Sequence, residues 1–165
     1  MSANFEEFSD FTAARGTQMF RTAYLLAGDR HSAEDLLQST LSKLFSVWGR
    51  FSKVENPDAY ARTVMVRTYI ADQRKTRREQ PTLKLPDSVR SGEDTALRLT
   101  LLAALSSLPG RDRAIVVLRY WEDRSIQETA EILGLSARVV RTRCHRALAK
   151  LRDGLGLDIN ELSGL

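Results

Sequence analysis

The chain has 165 residues, a formal net charge of +4 and a single cysteine. This length suits one ordinary domain or two small ones. No stretch approaches the roughly 20 apolar residues of a membrane span. The first residues, MSANFEEFSDF, lack the basic start and apolar core of a signal peptide, so we expect a cytoplasmic protein. One cysteine excludes an internal disulfide and a multi-cysteine zinc site, and we expect neither a metal nor a cofactor.

The amino-terminal half reads as a series of helices. TQMFRTAYLLAGD predicts an apolar helix that ends near Gly28, and Ser32 is expected to cap the helix that follows, SAEDLLQSTLSKLFSVW. Asp35 and Gln38 are three residues apart and therefore lie on one side of that helix. Its predicted buried face is on the other side and comprises Leu37, Leu41, Leu44, Phe45 and Trp48.

Asn56 and Pro57 form a cap and first-turn pair that begins a long helix, PDAYARTVMVRTYIADQRKTRR. Periodicity leaves two buried stripes open for it. One uses Tyr60, Val64, the stem of Arg67 and Ala71, and the other is slightly rotated and uses Val66 and Ile70.

The next stretch, PTLKLPDSVRSGED, has two prolines, a glycine and no periodicity, which is typical of a linker. Helix is predicted again over TALRLTLLAALSSL, breaks at Pro109 and Gly110, and continues through RDRAIVVLRYWED. The predicted fold is all-α, with two small helical domains at 1–80 and 95–153, a flexible linker at 81–94 and a short tail at 154–165.

SIQETAEILGLSARVV has the pattern of a helix-turn-helix motif. Ser125 and Glu128 are spaced as a capping box, Gly134 is placed to end the first helix in the left-handed conformation, and Ser136 is placed to cap the second. In such a motif the second helix enters the DNA major groove. The alternative is a plain αα-hairpin with an arginine-rich exterior.

The second helix of this motif divides into two faces. The apolar stripe is Val140, Cys144, Ala147 and Leu151, with Leu148 at its edge. The residues expected to meet DNA are Ser136, Arg138, Arg141, Thr142, Arg143, His145 and Arg146. Like charges at this spacing repel each other, so a negatively charged partner would stabilise the helix.

The amino-terminal domain carries a second basic cluster. The long helix contains Arg62, Arg67, Arg74, Lys75, Arg77 and Arg78, and the loop before it contains Arg50, Phe51 and Lys53. Basic side chains next to an aromatic one suit unstacked, single-stranded bases. The alternative is a solvated basic helix end that complements the helix dipole.

Three runs, in this order, resemble the extracytoplasmic-function (ECF) σ factors of bacterial RNA polymerase, most closely the type common in actinobacteria. They are AYLLAGDRHSAEDLLQSTLSKLFSVW, NPDAYARTVMVRTYIADQRKTRR and LPGRDRAIVVLRYWEDRSIQETAEILGLSARVVRTRCHRALAKLR. The resemblance covers about residues 10–152 and implies a σ region 2 domain, a linker and a σ region 4 domain. The implied function is promoter-specific initiation of transcription, without enzymatic activity.

The resemblance also implies partners and roles. Asp35 and Gln38 would contact the β′ clamp helices of core RNA polymerase, and the region 4 domain would meet the β flap. Residues 50–56, Asn56 among them, and the helix 57–78 would melt and read the −10 element, and the helix after Ser136 would read the −35 element. An anti-σ factor is a further possible partner.

The chain departs from the family pattern at three places. Ser39 stands where relatives often have an acid, Arg67 stands where they usually have Asn, and Arg138-Val139 replaces a usual Gly-Thr. The residue that forms the −10 base pocket is therefore left open, and a changed −35 preference is expected.

Two other functions compete with the σ-factor interpretation. A stand-alone helix-turn-helix regulator would usually bring an effector pocket or a dimerisation helix, and neither is evident. A DNA-acting enzyme would need a nucleophile with a supporting base or metal ligands. The two histidines, His31 and His145, are far apart in the sequence, and no acidic metal cluster is present.

Overall fold

The structure is a computed structural model that describes residues 2–51, 56–79 and 93–155, with side chains omitted at a few of these positions. Every regular element in these ranges is helical, which confirms the predicted all-α class. The elements are α1 Ser2–Ala27, α2 Arg30–Ser46, α3 Trp48–Phe51, α4 Pro57–Glu79, α5 Glu93–Ser106, α6 Gly110–Val116, a π-helical segment Val117–Trp121, α7 Ile126–Leu133 and α8 Ala137–Leu155.

The turn between α1 and α2 depends on Gly28 and Asp29. Gly28 adopts φ +88°, a left-handed conformation that glycine tolerates best, and it ends α1 as predicted. The N-cap of α2 is Asp29, whose side chain accepts a 2.8 Å hydrogen bond from the backbone N–H of Ser32. The prediction that Ser32 itself caps α2 is therefore wrong. An aspartate at this position accepts from the backbone as well as a serine would.

The predicted buried face of α2 is confirmed in part. Leu44 and Trp48 are buried, Leu37 and Leu41 are partly buried, and only Phe45 of the five, at 48%, is exposed. The face is rotated toward Ala33, Leu36 and Thr40, which are also buried. The rotation arises because α1 and α4 cover α2 from two sides. Thr40 is tolerated in this core because its hydroxyl donates to the carbonyl of Leu36 at 2.8 Å.

Helix α4 begins as predicted, since Asn56 Oδ1 accepts from the N–H of Ala59 at 3.1 Å. Of the two candidate stripes, the rotated one is closer to the structure. Val66 is fully buried and Ile70 is partly buried, whereas Tyr60 is 39% exposed. The other buried residues are Ala61, Met65, Thr68 and Tyr69. This face is broad because α4 packs against α1 and α2 and also against α6 and α7.

The helix-turn-helix is built as predicted. Ser125 and Glu128 form both hydrogen bonds of a capping box at the start of α7. Gly134 ends α7 with φ +65°, and Ser136 Oγ accepts from the N–H of Val139 at 3.2 Å. The entire predicted stripe of α8 is buried, comprising Val140, Cys144, Ala147 and Leu151.

The segment before α7 is not the single regular helix that the sequence predicts. After α6 the backbone widens into a π-helix over Val117–Trp121, and Asp123 then takes φ +53°. The N–H of Arg124 reaches back to the carbonyl of Leu118 at 2.8 Å, which closes this turn. Glu122, between the two irregularities, points at α1 and α4, where it bonds Thr22 and Arg62.

The amino-terminal unit (α1–α4) and the carboxy-terminal unit (α5–α8 with the π-helical segment) share a hydrophobic core. Met65 and Val66 of α4 belong to the same buried cluster as Val117 and Leu118. In this structure the two units are therefore packed against each other. The predicted flexible linker lies almost entirely outside the described residues, apart from 93 and 94 in the first turn of α5.

Arg113 of α6 is a buried charged residue that joins the two units. Its side chain is 5% exposed, and Nε donates to the carbonyl of Leu25 in the last turn of α1 at 2.7 Å. A Cβ atom at Gly28 would come within 3.1 Å of this guanidinium. Burial lowers the pKa of Arg113, and the nearby Tyr69 and Asp29 act in the opposite direction.

No helix in the described ranges is long and apolar enough to cross a membrane.

Replacing Gly134 by alanine tests whether the turn of the helix-turn-helix needs its left-handed residue. A Cβ there would meet no atom within 4 Å, so only the backbone conformation is penalised. We expect Gly134→Ala to lower the free energy of unfolding by about 1 kcal/mol in urea titrations. Gly16→Ala, inside α1 with its nearest atom at 4.0 Å, is the control and should raise it by roughly 0.5–1 kcal/mol. Changes of the same sign in both variants would contradict the assignment.

Candidate nucleic-acid interface

The solvent side of α8 is basic and open. The side chains of Arg138, Arg141, Thr142, His145 and Arg146 are exposed, opposite the stripe that packs on the rest of the unit. Within the described ranges no carboxylate forms a salt bridge with Arg138, Arg141 or Arg146. This face therefore offers donors in the geometry that base edges and phosphates require.

Three residues of the predicted set also form hydrogen bonds or ion pairs within the protein. Arg143 Nη1 lies 3.2 Å from Asp112 Oδ1, an ion pair that ties α8 to α6. The Ser136 hydroxyl accepts the Val139 N–H and so caps the helix start. The Thr142 hydroxyl donates to the carbonyl of Arg138 at 3.1 Å, which leaves its oxygen able to accept a further bond.

Part of the predicted −10 set is exposed. Arg50 of α3, Asn56 before α4, and Arg74 and Lys75 in the second half of α4 all face solvent. Lys53 lies outside the described residues, as do the side chains of Phe51, Arg77 and Arg78. Arg67, near the middle of α4, is also exposed, whereas Arg62 is partly buried.

Arg62 and Arg67, midway along α4, contact the carboxy-terminal unit. Arg62 Nε lies 2.9 Å from Glu122 Oε2, and these side chains are only 16% and 10% exposed. Arg67 Nε donates to the carbonyl of Ile132 at 3.1 Å, and Arg67 Nη2 lies 3.5 Å from that of Glu131. Sequence analysis missed Glu122 as a partner, because 60 residues separate it from Arg62 and no local pattern connects them.

Asp35 and Gln38 lie on the solvent side of α2, as their spacing predicts. Both are exposed, and the Asp35 carboxylate lies 3.5 Å from His31 Nε2, one helical turn away. They are opposite the face that packs on α1 and α4. A partner can therefore reach both side chains without disturbing the core of the unit.

The described part of the chain contains no group of three metal-ligating side chains close enough to hold an ion. Its one thiol, Cys144, is buried in the stripe of α8. Burial raises the pKa of that thiol, which disfavours the reactive thiolate. Exposed cations are the main feature of the described surface.

Comparison with protein families identifies both units. Residues 13–79 match the family "Sigma-70 region 2", and residues 98–151 match the family "Sigma-70, region 4". The chain is 38% identical to the RNA polymerase sigma-E factor of Streptomyces coelicolor over 90% of this chain and 86% of that protein. It is 30% identical to the ECF RNA polymerase sigma factor SigM of Mycobacterium tuberculosis over 84% of this chain and 72% of that one.

Solved structures show the same fold. The sigma factor RpoE of Bartonella quintana, crystallised with the anti-sigma factor NepR, superposes with a TM-score of 0.70 at 22% identity, covering 93% of this chain and 99% of that one. CnrH, solved with the cytosolic domain of CnrY, gives a TM-score of 0.63 at 24% identity, covering 94% and 91%. The matched regions, their order and the curated relatives agree: the chain belongs to the extracytoplasmic-function σ factors of the σ70 family.

Proposed function

We propose that the chain binds core RNA polymerase and directs it to promoters by reading a −10 element with the amino-terminal unit and a −35 element with α8. The observation that carries the proposal is the exposed basic face of α8, docked by a buried stripe on its other side. Membership of the σ factor family supports promoter DNA as the target of that face. The proposed domains are 1–80, with a linker at 81–94, and 95–153, and the proposed place of action is the cytoplasm.

On α8 we divide the basic residues by task. Arg141, Thr142 and His145 project from the middle of the exposed face and are proposed to contact base edges. Arg138 and Arg146 are proposed to hold phosphates, which fix the position of the helix without reading sequence. Arg143 is also proposed for a phosphate. Its pair with Asp112 leaves it 38% exposed, so it can orient α8 and still bind an anion.

In the amino-terminal unit we propose that Arg50, Phe51, Lys53 and Asn56 contact the −10 region. Helix α4 supplies the other cations, comprising Arg62, Arg67, Arg74, Lys75, Arg77 and Arg78. An aromatic in a basic setting suits bases that have left the duplex stack. Arg67, Arg74 and Lys75 are exposed, although Arg67 also donates to a backbone carbonyl of α7. Arg62 is largely buried in its pair with Glu122.

We propose that Asp35 and Gln38 contact the β′ clamp helices, and that the carboxy-terminal unit meets the β flap. Their exposure on α2 supports the first contact. The titles of the Bartonella and CnrH structures pair those proteins with an anti-sigma factor and with CnrY. By analogy, an anti-σ factor is a further proposed partner of this chain. Catalysis belongs to the polymerase, and we propose no enzymatic step for this protein.

Promoter protection should require core RNA polymerase. We expect the chain together with core enzyme to give a footprint across the −35 and −10 elements, and the chain alone to give little or none. The reason is that each unit contributes only part of the contact with the promoter. The measurement is footprinting at matched protein concentrations. Equal protection by the chain alone would instead favour a stand-alone regulator.

Replacing Asp35 and Gln38 together by alanine should weaken core binding without loss of stability, since both side chains are exposed. The measurement is competition for core polymerase against an unlabelled σ factor, alongside a thermal unfolding curve. The matched control is Ser9→Ala with Asp10→Ala on the exposed side of α1, which removes the same charge. If both double variants compete as well as the wild type, α2 is not the docking surface.

Substitutions on α8 should separate sequence readout from general attraction. Arg141→Ala or Thr142→Ala should cost about 1–3 kcal/mol and relax the choice of base at particular −35 positions. Arg146→Ala should weaken binding to all −35 sequences alike and reduce the salt slope by roughly one unit. The measurement is holoenzyme affinity for a −35 library at several salt concentrations. A changed sequence ranking with Arg146→Ala and a uniform loss with Arg141→Ala would reverse the assignment of faces.

A further inference from the structure

We propose that Val139 determines part of the sequence preference of α8, because its exposed side chain contacts the C5-methyl group of one thymine of the −35 element in the major groove. The inference rests on the proposed function and deepens it, since it names a base that α8 selects. Val139 is not among the residues assigned to DNA above.

Val139 lies in the first turn of α8. Its backbone N–H donates to the Oγ of the capping Ser136 at 3.2 Å, one residue before the helix begins at Ala137. The amino-terminal residues of a recognition helix are the ones that contact base edges. Arg146 lies two turns later at a similar angle around the helix, where the phosphate backbone is the nearer partner. Position along the helix therefore gives Val139 a base as its neighbour.

The side chain of Val139 contributes little to the core. It is 39% exposed and belongs to none of the apolar clusters of the described residues, whereas the adjacent Val140 is fully buried. Valine is also a weaker helix former than alanine. Single exposed apolar side chains are common on protein surfaces, so the chemical setting of Val139 matters more than its exposure.

Val139 differs in chemistry from the side chains around it. The exposed residues in the first two turns of α8 are Arg138, Val139, Arg141 and Thr142, and Val139 alone among them has no polar side-chain atom. Guanidinium groups donate to base acceptors such as the O6 and N7 of guanine. The C5-methyl group of thymine offers no acceptor and is recognised by apolar contact. Val139 therefore supplies a kind of readout that the arginines beside it cannot.

Thr142 extends this apolar surface. It follows Val139 by three residues and is therefore its neighbour on the helix surface. The Thr142 hydroxyl donates to the carbonyl of Arg138 at 3.1 Å, so its methyl group is the part of the side chain that takes no part in that bond. Arg143, one turn after Val139, is paired with Asp112 of α6 at 3.2 Å. The result is a small apolar surface bordered by cations, which suits a methyl group and not a phosphate.

Replacing thymine by uracil tests the contact, because uracil lacks only the C5-methyl group and keeps every hydrogen-bonding atom. The preferred −35 duplex is first selected from a library with holoenzyme, and each thymine on either strand is then replaced singly by uracil. We expect wild-type holoenzyme to lose about fourfold in affinity at one position, since one methyl group is no longer buried there. Holoenzyme with Val139→Ala should bind the thymine and uracil templates equally at that position.

Two further variants serve as controls. Leu101→Ala removes an aliphatic side chain that is also 39% exposed, but on α5, and should keep the full preference for thymine over uracil. Val139→Thr keeps the branched shape and one methyl group and should keep part of the preference. Val139→Ala is expected to fold, because alanine favours the helix and the bond to Ser136 uses the backbone N–H. A thermal unfolding curve checks this.

Three results would overturn the inference and leave the proposed function intact. They are equal affinity of wild-type holoenzyme for every thymine and its uracil replacement, an unchanged preference in Val139→Ala, and a preferred −35 element without an A·T pair. A holoenzyme that protects no −35 element would instead overturn the proposed function, and the role of Val139 with it.

Discussion

Backbone carbonyls at helix ends are the points at which arginines join the two units. The last carbonyls of an α-helix lack the partner that a further turn would supply, and here Leu25 of α1 and Ile132 of α7 accept hydrogen bonds from the opposite unit. Arg113 and Arg67 meet this need from opposite directions, each reaching into the other unit. Arginine suits both positions because its guanidinium carries several donors and stays charged even where burial lowers its pKa. The shared apolar core then fills the space between these two fixed points.

The Arg62 and Glu122 pair contributes orientation more than stability. Removing two charges from water costs free energy that their attraction only partly offsets, so a pair this buried is weak support for the fold by itself. Its geometry is nevertheless restrictive, because Glu122 also accepts from Thr22 and follows a π-helical segment. The wider backbone of that segment and the left-handed Asp123 bring the carboxylate to α4. Irregular backbone of this kind costs free energy, and here it coincides with the contact between units.

Local patterns in the sequence predicted the parts of the structure that local physics decides. The capping box, the left-handed Gly134 and the stripe of α8 depend on residues within one or two turns of each other, and all three were predicted correctly. The buried face of α2 was predicted only in part, because packing against α1 and α4 decides which side is covered. The π-helical segment left no periodic signal. The roles of Arg113 and Glu122 left none either, since each depends on a partner 60 or more residues away. The assignment of individual residues to promoter elements stays a prediction.

The arginine at position 67 has a specific set of contacts in this fold. Arg67 is a long cation whose Nε and Nη2 both reach the end of α7. Both contacts are made to backbone carbonyls, so they need no acidic side chain. Helix carboxyl ends supply negative charge without adding an acidic residue to the surface that DNA will approach. Arg62 is the contrasting case, because its partner Glu122 is an acidic side chain that neutralises it within a largely buried pair.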